Sequence, residues 1–79
     1  MSTEKLSNVS LADYRLFLSK VGCKCTRVKG GHEHYTRKDL ARQITVQTHV
    51  DPVPEFIIRN ALRTLNLTKK DFFEILFGD

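Results

Sequence analysis

Long apolar runs are missing from this sequence: no stretch approaches the ~18 consecutive apolar residues that a membrane-spanning helix requires. A secretion signal is missing too, because the polar opening of residues 1–10 has neither a basic segment nor an apolar run. The chain is therefore expected to stay in the cytoplasm and off the membrane. Cysteine is scarce. Cys23 and Cys25 are too few for the disulfide framework of a small secreted domain, and so close together they would bridge only with strain, so they read as reduced thiols. Internal repeats and low-complexity segments are absent, and 79 residues leave no room for a second domain.

What remains is the composition of a packed chain: 41% hydrophobic and 28% charged residues exclude a disordered or fibrous class. A chain of this size buries only about 60% of the surface that its unfolded form exposes, so modest stability is expected. The net charge of +4 is unevenly placed. Between Lys20 and Arg42 stand seven basic residues (Lys20, Lys24, Arg27, Lys29, Arg37, Lys38, Arg42) against two acids, Glu33 and Asp39; everywhere else acids outnumber bases by one. Charge gathered on one segment is the footprint of phosphate binding, although a solvated hairpin that keeps the protein soluble would look the same.

Local patterns predict the elements. Residues 1–9 are polar and aperiodic and are expected to form a flexible arm ahead of a single domain, residues 10–79. Ser10 and Asp13 form a Ser-x-x-acid cap for a first helix, with Leu11, Tyr14, Phe17, Leu18 and Val21 on its apolar stripe and Gly22 to end it. Residues 23–29 and 32–37 are rich in Thr, Val, Tyr and Cys and flank Gly30-Gly31, which predicts a β-hairpin. Residues 43–48 alternate, with Ile44 and Val46 on one face of a third strand. After Asp51-Pro52-Val53-Pro54, with Pro54 in its first turn, a second helix presents Ile57 or Ile58, Ala61, Leu62 and Leu65 and ends near Asn66. Thr68 and Asp71 cap a short last helix with Phe72, Phe73, Ile75, Leu76 and Phe77 on its apolar side. The order αβββα plus a short helix is an α+β fold, packed most simply as a three-stranded antiparallel sheet with helices on one face.

In a two-residue turn at Gly30-Gly31, Lys29 faces His32, Arg27 faces His34 and Cys25 faces Thr36. Arg27, Lys29, His32 and His34 then share one face, with Val28 and Tyr35 on the other. Two imidazoles beside two cations can hold a phosphodiester, move protons and stabilise charge developing in its transition state. The plainer alternative is a pair of surface histidines. Cys23-x-Cys25 with His32-x-His34 has the residue types of a zinc site but not the usual spacing, and a hairpin would spread them along a ribbon, so no metal or other cofactor is expected. His49 either caps a strand or lines the same site. The three phenylalanines Phe72, Phe73 and Phe77 read as core or as a patch for a partner.

The run from Gly22 through Cys23, Cys25, Arg27, Lys29, Gly30, Gly31, His32 and His34 to Tyr35, followed by strand residues Ile44 to Val46, His49 and a helix from Ile58 to Leu62, resembles the HicA family of bacterial mRNA interferase toxins. The resemblance covers roughly residues 11–67, and Gly31 stands where the family usually has serine. It implies a fold similar to a double-stranded-RNA-binding domain, His32 as the catalytic residue, mRNA as substrate and a HicB-type antitoxin as protein partner. On this reading the chain is a metal-independent endoribonuclease that inhibits translation and growth. The hairpin itself assigns Arg27 and Lys29 to the RNA phosphate, and Lys24 and His34 are further candidates for phosphate binding. The rival expectation is a noncatalytic RNA- or DNA-binding module using the same basic hairpin. A third is a protein-interaction domain using the Phe-rich end.

Overall fold

The first and third helices begin where a side chain satisfies an unpaired backbone N–H, whereas the second starts at a proline with no side-chain cap. In the computed structural model, which describes residues 6–78, α1 runs over Leu11–Lys20. Ser10 Oγ accepts from the Asp13 N–H at 3.0 Å, and the Leu11 N–H donates to the Asp51 carboxylate at 3.0 Å. At the other end Gly22 takes a φ of +87°, and Arg37 Nη1 donates to the Val21 carbonyl at 2.6 Å. α2, Glu55–Leu65, follows Pro54, which sits at the N-cap and not inside the first turn, and stops at Asn66 in the left-handed conformation. α3, Lys69–Phe77, carries a full capping box: Thr68 Oγ1 accepts from the Asp71 N–H at 3.1 Å and the Asp71 carboxylate accepts from the Thr68 N–H at 2.9 Å. No helix among the described residues is long and apolar enough to cross a membrane.

The strands are β1, Lys24–Lys29, β2, His32–Thr36, and β3, Ile44–Gln47, antiparallel in the order β1-β2-β3. Gly30 and Gly31 both have positive φ, as a tight hairpin turn between right-twisted strands requires. Gly31 is also fastened to the end of β3: its carbonyl accepts from the Thr48 N–H at 2.9 Å and from Thr48 Oγ1 at 3.0 Å.

The expected alternation of β3 is observed, with Ile44 and Val46 buried. They enter one core with Leu11, Tyr14, Phe17, Leu18, Ile58, Ala61, Leu62, Leu65, Phe72 and Leu76 of the three helices, and no residue of the opposite sheet face joins it. That face is open. Phe17 and Phe72 meet at 4.6 Å between ring centroids and join α1 to α3.

Three further expectations change. The loose arm falls outside the described residues up to residue 5, but its last part is docked: Leu6 and Val9 are buried, and Val9 bridges to Val53. Aperiodic segments bury residues when they pair across the chain, which periodicity does not register. The last helix does not bury all its phenylalanines, for Phe72 is core while Phe77 is 65% exposed and stacks on Phe73 at 6.0 Å. Finally, Cys25 pairs with Tyr35 and not with Thr36, because β1 carries a bulge between Cys25 and Arg27.

Candidate nucleic-acid interface

Strand register places two cross-strand rows on the open face. Lys29, His32 and Gln47 form the row beside the turn, and Arg27, His34 and Thr45 form the next. The bulge at Thr26 extends this face. By turning Cys25 toward the side of Tyr35, it puts Lys24, opposite Thr36, on the same face as Arg27 and Lys29. The expected site residues His32, His34, Arg27, Lys29 and Lys24 are thus all on one surface, and every residue of β1 is exposed.

The acids of the basic segment are turned away and neutralised. Glu33 lies on the helix side, where Arg15 of α1 grips it with two bonds of 3.1 Å and the Tyr35 hydroxyl donates to it at 3.1 Å. Burial and this bond to Glu33 push the Tyr35 hydroxyl above its ordinary range. Asp39 is bound by Arg37 at 2.6 and 2.9 Å, and the guanidinium holds its carboxyl below the ordinary carboxylate value. The sheet's open face therefore presents cations, imidazoles and uncharged polar groups. Arg37, counted with the basic residues, serves instead to cap α1 and bind Asp39.

His34 is oriented by its neighbours on β3. Its Nδ1 lies 3.1 Å from Gln43 Nε2 and 3.4 Å from Thr45 Oγ1. With the Gln43 amide as donor, Nδ1 accepts and the ring proton sits on Nε2, ready to donate to a phosphate oxygen. His32 is exposed at the end of the turn. Nothing among the described protein groups occupies its ring nitrogens.

No protein-family model, curated protein or solved structure matches the chain.

His49 is brought to the turn as well. A Cβ placed on Gly31 would lie 2.8 Å from His49 Cδ2 and closer still to its Nε2, so the imidazole fills the space that a side chain at position 31 would need. The ring of His49 thus stands against the turn that carries His32. The signal in the sequence was the glycine itself, which is required here both for its φ of +83° and for lack of room. Gln43 and Thr45, which orient His34, were not singled out from the sequence; their role depends on the β2–β3 register. The four-ligand arrangement of Cys23, Cys25, His32 and His34 does not form. Cys23 is buried in the core while Cys25 is exposed, and among the described residues no three His, Cys, Asp or Glu side chains converge on one point.

Proposed function

We propose that the chain is a metal-independent endoribonuclease of the HicA kind, with a fold like that of double-stranded-RNA-binding domains, acting on mRNA in the cytoplasm. The observation that carries the reading is the open sheet face, where His32 and His34 stand in register with Lys29 and Arg27 while both acids of the segment are tied to arginines. RNA supplies its own nucleophile. His32 takes the proton of a 2′-hydroxyl, the O2′–P bond forms, the P–O5′ bond breaks, and the 5′-oxygen leaves with a proton from solvent, giving a cyclic phosphate end. Arg27, Lys29 and Lys24 hold the phosphates, and His34 Nε2–H donates to the one under attack. No step needs a metal or another cofactor.

A nuclease active on cellular messages has to be restrained, and a surface without free carboxylates is readily covered by an acidic partner. A HicB-type antitoxin that buries His32 fits this requirement, and its association is expected to slow with added salt.

Purified protein incubated with single-stranded RNA tests the reading. Wild type should cleave it in the presence of EDTA, and His32→Ala should bind RNA as before, with an unchanged thermal transition, but cleave nothing. Binding without cleavage by the wild type would replace the nuclease with the noncatalytic RNA-binding module. Full cleavage by His32→Ala would remove His32 from the chemistry.

A further inference from the structure

A second binding feature adjoins the histidine rows. Between β3 with its preceding loop and α2 lies an open cleft of about 620 Å³, floored by Tyr14 and lined by Arg42, Gln43, Thr45, Asn60 and Arg63 among others. Its lining includes two arginines and no acid. Of the six arginines in the chain, Arg15, Arg37 and Arg59 bind carboxylates. Among the described residues Arg27, Arg42 and Arg63 do not, so two of the three guanidiniums without an acid face this one cleft.

The cleft also offers backbone. β3 is an edge strand. Because the Thr48 N–H bonds to the Gly31 carbonyl, the antiparallel alternation makes His34 and Thr45 a pair that does not exchange backbone hydrogen bonds. The N–H and C=O of Thr45 consequently point outward, toward the cleft it lines. One donor and one acceptor side by side can read the edge of a nucleobase. Asn60 Oδ1 accepts from Arg63 Nη1 at 3.3 Å in the same lining. Gln43 and Thr45 are the same residues that contact His34 Nδ1, so the cleft and the histidine face share a rim.

We infer that this cleft is a nucleotide subsite for single-stranded RNA, taking a base against the β3 edge and its phosphate between Arg42 and Arg63. The inference rests on the RNA-directed reading of the neighbouring face but not on catalysis. A peptide strand added to β3 is the competing occupant; four strand residues and a lining of two cations favour the polyanion.

The test uses a short 2′-O-methyl RNA oligonucleotide, which has no free 2′-hydroxyl and cannot be cleaved by the route above. Binding is followed by fluorescence anisotropy at several salt concentrations and by the backbone amide resonance of Thr45. Arg42→Ala and Arg63→Ala are each expected to weaken binding on the order of tenfold and to flatten the slope of log affinity against log salt by about 0.7, one single-strand phosphate. Arg59→Ala, on the same helix but paired with Glu55 at 2.6 Å, should leave both unchanged. The Thr45 resonance should shift on titration. An unmoved Thr45 resonance, or Arg59→Ala weakening binding as much as Arg63→Ala, overturns the subsite. If wild type cleaves ordinary RNA while Arg42→Ala and Arg63→Ala bind the oligonucleotide normally, the cleft assignment falls and the nuclease stands. If the cleft variants lose binding but wild type cleaves nothing, the nuclease falls and the subsite stands.

Discussion

Gly31→Ala isolates the packing of His49 on the turn. The alanine must adopt a φ of +83°, which costs an L-residue roughly 1–2 kcal/mol. It must also displace the imidazole, since its Cβ would lie 2.8 Å from His49 Cδ2. The turn cannot retreat, because the Gly31 carbonyl is held twice by Thr48 at 2.9 and 3.0 Å. His49 is exposed and has to give way, at about 0.5–1.5 kcal/mol for leaving its preferred rotamer. The sum is about 2 kcal/mol, against a total of roughly 4–12 kcal/mol for a chain of this length. A loss of that size lowers the melting temperature by roughly 8–16 °C. In a His49→Ala background the ring term vanishes and the same glycine substitution should cost about 1 kcal/mol less. Urea unfolding of the four proteins of this double-mutant cycle measures both terms. Equal losses in the two backgrounds would refute the contact between His49 and Gly31.

The remaining predictions concern the scaffold. Thr68→Ala removes one half of the capping box of α3 and should cost about 1 kcal/mol in urea unfolding; an unchanged midpoint would mean that the cap contributes nothing. A double-mutant cycle on Arg15 and Glu33 should give a coupling of about 0.5–1 kcal/mol, modest because Arg15 is 39% exposed, and zero coupling would dissolve the clamp between α1 and β2. Cys25 should react with a thiol reagent at once and Cys23 only on unfolding. Burial raises the Cys23 thiol and the Tyr14 and Tyr35 hydroxyls above their ordinary values, so the folded chain keeps protons that the unfolded chain releases. Stability from these groups is complete below the ordinary thiol value of 9.0 and falls as pH rises past it. Melting temperatures that stay level or rise above that pH would contradict the sign.

The features legible in the sequence are those whose causes lie within a few residues. Ser10, Thr68 and Asp71 announce helix starts because a cap acts over three positions, and Ile44 and Val46 announce a buried face because strand side chains alternate. The histidine face was legible for the same reason, a short turn fixing its own register. The bulge at Thr26 was not, since no glycine marks it, and it moved Lys24 onto the site face. The burial of Val9 was not legible because its partner is Val53, more than forty positions along the chain, and Leu6 is buried in the same aperiodic segment. The cleft was equally hidden: Arg42 and Arg63, twenty-one positions apart, come to line one cleft only in the folded chain.

β1 contributes no buried side chain and ends the sheet with an unpaired edge. Such an edge is an invitation to another strand, and charged side chains along it are a common deterrent. Under the proposed function Lys24, Arg27 and Lys29 would have two duties, attracting a polyanion and repelling a second copy of the chain. The duties separate on substitution. Because these side chains support no core, changing them should leave the fold standing, so their loss should register as altered association of the protein with itself and, under the proposed function, with RNA. Neutralising all three removes the electrostatic guard from the outermost strand, and a variant made to test the proposed RNA binding becomes one prone to pair edge to edge.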